Sequence, residues 1–262
     1  MFLRLRARAA FTIVELLVAS AITVLIVVLL GTMFGSLTTT SNRANQRIDA
    51  FRDARAALQM IERDMANLVH AVPTAYFALD KRWQDTANDP YSDSANGNAN
   101  RQVYGLIALK NSGPGDLCAV GYYCRWDTTT HSYSLYRYFT DSTATFNTLQ
   151  TNGLGVYAPA SKLFTPAVTD AVLAAYVWNL QILAYKADGT VDTTYPLVIN
   201  PAAPAVTVPA AIEISFTAMS PEAARTIMGV STDPADWMDS TKPRYKLLIA
   251  PRAYEFRTRI SF

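Results

Sequence analysis

The residue with the clearest chemical potential in this sequence is Glu15, a lone carboxylate inside residues 11–30, which are otherwise apolar apart from three hydroxyl side chains. An ionised Glu at the centre of a bilayer helix costs on the order of 2.5–3.5 kcal/mol, so we expect it to have a cationic partner. If the chain is cut between Ala10 and Phe11, the new amine of Phe11 supplies a cation. Within one helix the geometry of this pair is poor, so we expect it to form between staggered neighbouring subunits. Glu15 is therefore predicted to act in assembly.

The residues before this apolar run form a short basic leader. Residues 1–10 contain Arg4, Arg6 and Arg8 and no acid. The twenty residues that follow span roughly 30 Å as a helix, which matches the hydrocarbon core of a membrane. Arginines favour the cytoplasmic side, so we expect one membrane crossing with the C-terminal bulk in the periplasm. Cleavage after the apolar run is the weaker interpretation, because the run continues into a helical pattern.

Residues 10–18, Ala-Phe-Thr-Ile-Val-Glu-Leu-Leu-Val, resemble the class III signal of type IV prepilins and type II secretion pseudopilins. In that family a dedicated aspartic peptidase cuts before the Phe and methylates the exposed amine. The resemblance implies cleavage between Ala10 and Phe11, N-methylation of Phe11 and an assembly role for Glu15. The partners that it implies are the prepilin peptidase, other pilin or pseudopilin subunits and inner-membrane lipid. The family usually has Gly where Ala10 stands, so we expect slower cleavage here.

Other features resemble the larger minor subunits of that family. Residues 55–66 are similar to the end of the first helix in J-type minor pseudopilins and W-type minor pilins, and residues 209–216 resemble their late strand. The length of 262 residues exceeds that of a typical major pilin. The resemblance leaves both subunit types open, together with a lineage-restricted cassette of prepilin-like proteins.

The apolar pattern predicts one long helix over about residues 11–72, because no proline precedes Pro73 and apolar residues recur in steps of three and four. The expected buried face contains Phe51, Ala54, Leu58, Ile61, Met65, Leu68, Val69 and Val72. The expected solvated face contains Arg52, Asp53, Arg55, Glu62, Arg63 and Asp64. We expect residues 11–34 to lie in lipid, and residues 35–72 to pack their apolar face on a headpiece made of residues 73–262.

The headpiece is predicted to be rich in antiparallel strands, which gives an α+β fold class. The candidate strands are 103–109, 119–126, 133–139, 176–186, 190–199, 211–218, 245–250 and 254–261. Asp188-Gly189 is a good hairpin turn, and Ser220-Pro221 predicts the start of a short capped helix that ends near Gly229. Residues 80–102 are polar and are expected to form a long loop.

Gly31 and Gly35 form a small-residue pair four positions apart near the outer end of the apolar run. One interpretation is close packing of neighbouring helices at this point. The other is chance, since Gly is common in membrane helices. The sequence favours neither.

Cys118 and Cys124 flank five residues in a domain that we expect to be exported. Disulfides form outside the cytoplasm, and two Cys without clustered His fall short of a zinc site. We therefore predict a structural Cys118–Cys124 disulfide, with thiols or metal ligands as the alternatives.

The sequence lacks the usual signs of an active site. Residues 85–98 carry several Asp and Asn, but they lack the spacing of an EF-hand, so a solvated loop is favoured over a calcium site. His70 and His131 have no recognisable catalytic partner nearby in sequence. Without the leader arginines the chain has 20 basic and 21 acidic residues, which gives no general attraction for nucleic acid. We expect no catalytic residues, metal, cofactor or small-molecule substrate.

These observations favour a non-enzymatic, membrane-inserted, prepilin-like subunit that is processed before Phe11. The most concrete version is a minor pseudopilin of a type II secretion-like filament in the periplasm, which helps to initiate the filament or lies near its tip. A minor type IV pilin for adhesion, motility or DNA uptake is the first alternative. A periplasmic enzyme held by a signal anchor is the second.

Processing at Phe11 is directly testable. Intact-mass analysis of the protein from its native membrane should show the loss of residues 1–10 and a mass increase of one methyl group at Phe11. The same chain made in cells without the prepilin peptidase should keep its full mass. A mature N-terminus beyond Leu30 would contradict the prepilin interpretation.

Overall fold

The structure is a computed structural model that describes residues 12–69, 77–80, 102–108, 117–152, 167, 169–192, 197–199 and 209–262. The leader with Ala10, Phe11, His70 and the loop at 85–98 lie outside these ranges. The chain divides into two compact units, residues 1–46 and residues 47–262. The first helix runs through the boundary, so its two parts belong to different units.

The described residues contain four α-helices and ten strands. The helices are α1 (Ile13–Ala66), α2 (Ser142–Asn152), α3 (Pro221–Met228) and α4 (Ala235–Met238). The strands are β1 (Phe77–Asp80), β2 (Gln102–Ala108), β3 (Leu117–Asp127), β4 (Ser132–Thr140), β5 (Ala171–Ala175), β6 (Val177–Tyr185), β7 (Val191–Asp192), β8 (Leu197–Ile199), β9 (Ala211–Ala218) and β10 (Tyr254–Ser261). Every strand pair in these ranges is antiparallel. The predicted α+β fold class is confirmed.

The strands form two sheets in the second unit. The first sheet has six strands in the order β5-β4-β3-β2-β1-β8, and the second has four in the order β10-β9-β6-β7. Tyr176 alone separates β5 of the first sheet from β6 of the second, and it adopts a left-handed conformation with φ of 59°. The predicted strand at 190–199 is wrong as one element, because β7 and β8 within it belong to different sheets.

The apolar face of residues 47–66 of α1 supplies one side of the main core. Its side chains at Ala54, Ala57, Ile61 and Met65 are at most 1% exposed and belong to one cluster with the buried residues of both sheets. Fully burying a side chain the size of Ile or Met contributes about 1.5–3 kcal/mol. The second part of α1 is therefore an integral part of the second unit.

A smaller cluster forms on the other face of the first sheet. There Leu149 of α2 packs with Leu106 of β2 and with Leu117 and Ala119 of β3. The first eight residues of β3 are all buried, because α1 and the second sheet lie on one side of the strand and α2 lies on the other.

The first helix ends at Ala66 and not near Val72 as predicted. The residues that follow join the first sheet: the Val69 amide donates to the Leu106 carbonyl at 2.9 Å, and the Ala108 amide donates to the Asn67 carbonyl at 2.9 Å. Because pairing with β2 already satisfies these backbone groups, continuing the helix would add no hydrogen bonds for them.

Two local predictions are confirmed. Gly189 has φ of 81° in the turn between β6 and β7, which is a conformation that favours glycine. Ser220 caps α3 by accepting a hydrogen bond from the Ala223 amide, with Pro221 in the first turn and Gly229 at the end of the helix.

The predicted strand at 245–250 is wrong. Residues Tyr245–Ile249 form a π-helical turn, and Ala250–Arg252 form a 3₁₀ turn. Ile249 is buried while Leu247 is 74% exposed, so the apolar run winds around a helical turn and buries one side. Pro251 lies just after this run and lacks the amide that a strand would use.

The predicted Cys118–Cys124 disulfide is also wrong. Both residues lie in β3, which pairs without interruption in register with β4 over Ala119–Asp127. Six residues of extended strand separate their Cα atoms by about 20 Å, far beyond the roughly 7 Å limit of a disulfide. The spacing suggested a short closed loop, but strand pairing holds the segment straight.

The thiols of Cys118 and Cys124 should therefore stay reduced in the folded protein. Because they are 0% and 1% exposed, a maleimide should label neither quickly in the native state. In denaturant without reductant, mass spectrometry should show two added labels per chain. A chain that takes up no label until a reductant is added would contradict the structure.

Candidate assembly segment and its anchor

The first part of α1 is the candidate assembly segment. Residues Ile13–Asn42 form 30 residues of helix that are long and apolar enough to cross a membrane. Large apolar side chains such as Leu16, Leu25 and Phe34 are more than half exposed in the single chain. Contiguous apolar surface of this size requires lipid or a partner protein to cover it.

Four hydroxyl groups in this span, those of Ser20, Thr23, Thr32 and Thr38, donate hydrogen bonds to the backbone of their own helix. Ser20 Oγ donates to the Leu17 carbonyl at 2.9 Å, and Thr23 Oγ1 donates to the Ala19 carbonyl at 2.8 Å. Hydrocarbon offers polar groups no partners, so they must be satisfied inside the segment. These hydroxyls are therefore compatible with a membrane location.

Glu15 takes part in a reciprocal cap at the start of α1. Its Oε2 atom accepts hydrogen bonds from the amide and the hydroxyl of Thr12, each at 2.9 Å. The Glu15 amide donates to Thr12 Oγ1 at 3.3 Å. This is a capping box, in which the first residue before the helix and the third residue within it satisfy each other's amides. The Thr-x-x-Glu signal for this cap is present in the sequence, in addition to the charge that Glu15 carries.

The cap bears on the predicted pairing of Glu15 with the amine of Phe11. Thr12 keeps its peptide amide whether or not the chain is cut before Phe11, so the cap persists in the processed chain. Phe11 lies outside the described residues, and its pairing with Glu15 stays a prediction.

Gly31 and Gly35 lie on one face of α1, and a Cβ atom added at either would meet no atom within 4 Å. Among the described residues, none fills the space beside these two glycines. The predicted helix packing at these glycines therefore stays a prediction about contacts between chains.

The other end of α1 is anchored by a buried polar cluster. Asp64 is 0% exposed, and its Oδ2 atom accepts a hydrogen bond from the Tyr122 hydroxyl at 2.5 Å. The same oxygen lies 2.6 Å from Arg137 Nη2 and accepts a hydrogen bond from Arg137 Nε at 2.8 Å. Asp64 belongs to α1, Tyr122 to β3 and Arg137 to β4, so the cluster joins the helix to the centre of the first sheet. The assignment of Asp64 to the solvated face was wrong.

Burial and charge act together in this cluster. Burial raises the pKa of Tyr122, and the neighbouring carboxylate of Asp64 raises it further. Burial works to lower the pKa of Arg137, but its bonds to Tyr122 and Asp64 outweigh this effect and the pKa is raised. Both partners therefore stay protonated around the Asp64 carboxylate at neutral pH.

A second polar contact lies nearby on α1. The Thr258 hydroxyl of β10 hydrogen-bonds to the carboxylate of Glu62. Glu62 is half-buried, whereas the sequence analysis placed it on the solvated face. Glu62 thus joins α1 to the second sheet, just as Asp64 joins it to the first.

Within the described ranges, no group of three His, Cys, Asp or Glu side chains is close enough to hold a metal ion. His131 lies in the turn between β3 and β4 with its ring 6.5 Å from that of Trp126. The loop at 85–98 lies outside the described residues, and calcium binding there is untested.

Searches of family models and of curated proteins found no match to the chain. Among solved structures, a type IV-like pilin from Thermus thermophilus is similar to it with a TM-score of 0.40 and 11% sequence identity, covering 80% of this chain and 95% of that one.

The anchor predicts a large effect of Asp64→Asn on the stability of the second unit. Removing the charge leaves Arg137 largely buried without its counter-ion, and breaking a buried pair of this kind costs about 3 kcal/mol. Urea unfolding of the full chain in detergent, followed by the fluorescence of the buried Trp178 and Trp237, measures this loss.

Asp53→Asn is the matched control, because Asp53 pairs with Arg52 on the exposed side of the same helix. An exposed pair contributes less than about 1 kcal/mol. Equal unfolding midpoints for the two variants would show that Asp64 is not the anchor.

Proposed function

We propose that this chain is a pilin-like structural subunit. Its first helix holds it in the membrane and then carries it into a filament. The observation that supports this most strongly is the N-terminal part of α1. It is an exposed apolar helix of 30 residues, and the carboxylate of Glu15 caps its first turn. A simple tether needs the apolar helix and gains from its capping box, but a neutral Gln at position 15 would close that box without placing a charge in the apolar segment.

The finer proposal is a minor pseudopilin of a type II secretion-like filament in the periplasm, of the J type or close to it. It rests on the sequence resemblance at residues 10–18 and 55–66. Processing before Phe11 by a prepilin peptidase, methylation of Phe11 and assembly with other subunits belong to the same proposal. Deletion in the native host separates this role from that of a minor type IV pilin: loss of secreted proteins supports the first, and loss of surface filaments supports the second.

The two oxygens of the Glu15 carboxylate allow two roles at once. In the single chain Oε2 accepts both hydrogen bonds from Thr12, while the charge of the group still needs a cation in lipid. We propose that the amine of Phe11 on a neighbouring subunit supplies this cation. The cap then orients the carboxylate, and the charge selects the neighbour.

Three variants separate the charge from the cap. Glu15→Gln keeps a capping-box side chain but removes the charge, Glu15→Leu removes both, and Thr12→Val removes the hydroxyl while keeping the charge. If the charge drives assembly, the two Glu15 variants should crosslink to other filament subunits at least tenfold less than the wild type. Thr12→Val should stay close to the wild type. All three should insert in the membrane and lose the leader.

The measurement is in vivo crosslinking at matched expression, with Val14→Leu as the control for substitution at the same depth. Wild-type crosslinking by Glu15→Gln combined with a defect in Thr12→Val would assign the role to the cap. Wild-type crosslinking by both Glu15 variants would favour the tether.

A further inference from the structure

The acids and the arginines of residues 52–66 of α1 lie on different sides of the helix. Glu62 and Asp64 turn toward the sheets, where each bonds across to another element. Within residues 52–66, all of which the structure describes, Asp53 is the one exposed acid. The sequence predicts opposed charges on the solvated face, whereas the structure leaves that face with an excess of arginine.

Three arginines of this stretch, Arg52, Arg55 and Arg63, form a row along the exposed side of the helix. With 3.6 residues per turn, their positions fall within about 80° of one another and extend over roughly 16 Å of the helix. The side chains of Arg52 and Arg63 are 75% and 64% exposed, and Arg55 is exposed as well. This arginine row therefore presents a line of positive charge to solvent.

Two acids approach the arginine row from its sides without neutralising it. Asp53 lies 3.3 Å from Arg52 in an exposed pair, and such pairs contribute little. Asp64 lies 3.7 Å from Arg63, but its other oxygen is 2.6 Å from Arg137, so its one charge serves two cations. The row keeps a positive charge that a partner can use.

Uncharged side chains on the same side of the helix indicate what kind of partner fits. Ile48 and Gln59 fall within the arc of the arginine row, and Ile48 is 63% exposed. Arginine beside an exposed apolar anchor is typical of protein–protein interfaces. A lipid headgroup or a nucleic-acid backbone would match the arginines but would leave Ile48 without a contact. The face therefore favours a protein surface that carries carboxylates.

A second copy of this chain fits that description poorly. A symmetric contact of two copies through this face would bring two arginine rows together, and like charges in an interface repel. Exposed carboxylates described elsewhere in the second unit have cations beside them: Asp233 lies 2.7 Å from Lys242, and Glu255 lies 2.8 Å from Arg257. A different subunit is the better match.

We propose that the arginine row binds an acidic face of a different subunit in the same filament, with Ile48 packed at one end of the contact. This proposal rests on the proposed function, because it names a partner within a filament. It adds that α1 selects its neighbour by charge in the second unit as well as in the apolar segment. It also predicts that this chain assembles next to subunits unlike itself.

Site-specific photo-crosslinking in the native host tests the proposal. One chain carries p-benzoylphenylalanine in place of Gln59, which is exposed among the arginines. A second chain carries it in place of Leu25, which is 61% exposed in the apolar segment. Both are expressed at matched levels, and peptide mass spectrometry identifies the segment to which each reporter is joined.

The reporter at position 59 should crosslink to a segment of a different filament subunit that carries at least two carboxylates. Arg52→Glu combined with Arg55→Glu should lower this yield at least tenfold, because the row then repels the partner. Lys186→Glu combined with Lys246→Glu is the matched control, since it makes the same change in net charge at exposed sites outside α1. Replacing the mapped carboxylates of the partner by Lys should restore crosslinking to the reversed chain.

Folding is checked by the urea unfolding midpoint of each variant. Should the double reversal not fold, Arg52→Gln combined with Arg55→Gln removes the charges alone and should lower the yield at least threefold. A yield at position 59 that does not change in any charge variant overturns the proposal. Crosslinks from position 59 to lipid, to nucleic acid, to the same chain or to a second copy also overturn it.

The reporter at position 25 separates this proposal from the proposed function. If position 25 crosslinks to other subunits while position 59 gives none of the expected products, the chain is still a filament subunit and only the role of the arginine row is wrong. If neither position crosslinks to another subunit, both the role of the row and the proposed function are wrong.

Discussion

The packing of the second unit depends on the buried carboxylate of Asp64. A charge removed from water is tolerated only where oppositely charged and hydrogen-bonding groups surround it, and here Tyr122 and Arg137 meet at one of its oxygens. These partners fix how far along the first sheet the helix lies and how it is rotated. Any slide or rotation of α1 would leave both Asp64 and Arg137 poorly solvated. Apolar contacts alone are less selective, because neighbouring apolar residues can replace one another with small loss.

The polar groups in the two parts of α1 form different kinds of hydrogen bond. In the apolar span, the hydroxyls of Ser20 and Thr23 donate hydrogen bonds to the backbone of the same helix. In the second unit, the carboxylates of Glu62 and Asp64 bond across to other elements. The first pattern leaves the surface of the helix apolar and open to any neighbour. The contacts of Glu62 and Asp64 fix the helix at one position on the two sheets of the second unit.

The sequence predicted the helices, strands, turns and caps that depend on local residue patterns. The long helix, the strands near 119–126 and 211–218, the turn at Gly189 and the cap at Ser220 all follow from spacing and turn chemistry, and the structure contains them. The strands β1 and β5 and the helices α2 and α4 were missed. The elements β1, β5 and α4 have only four or five residues each. The eleven residues of α2 have the low helix propensity expected of a segment with four threonines.

What the sequence did not predict depends on distant partners. Tyr122 and Arg137 lie 58 and 73 residues from Asp64, so nothing near Asp64 in sequence distinguishes it from the exposed Asp53. The predicted Cys118–Cys124 disulfide was wrong for a related reason. Spacing within a segment does not show whether the segment is a loop or a strand, and here two neighbouring strands hold it extended. The Glu15 cap was visible in the sequence, since Thr and Glu have the required spacing.

The one-residue link at Tyr176, between β5 and β6, limits how this fold can vary in evolution. A single residue covers about 3.8 Å of chain, so β5 and β6 cannot move apart without breaking a strand pair in one sheet or the other. Lengthening this link would loosen the connection between the edge strand β5 of the first sheet and the inner strand β6 of the second. A Gly at position 176 would relax the positive φ without changing the length. The connection from β9 to β10 is different, because it already contains α3 and α4 and leads back to a neighbouring strand of the same sheet. Relatives of this chain should therefore differ in length after Ala218 and keep a one-residue link at position 176.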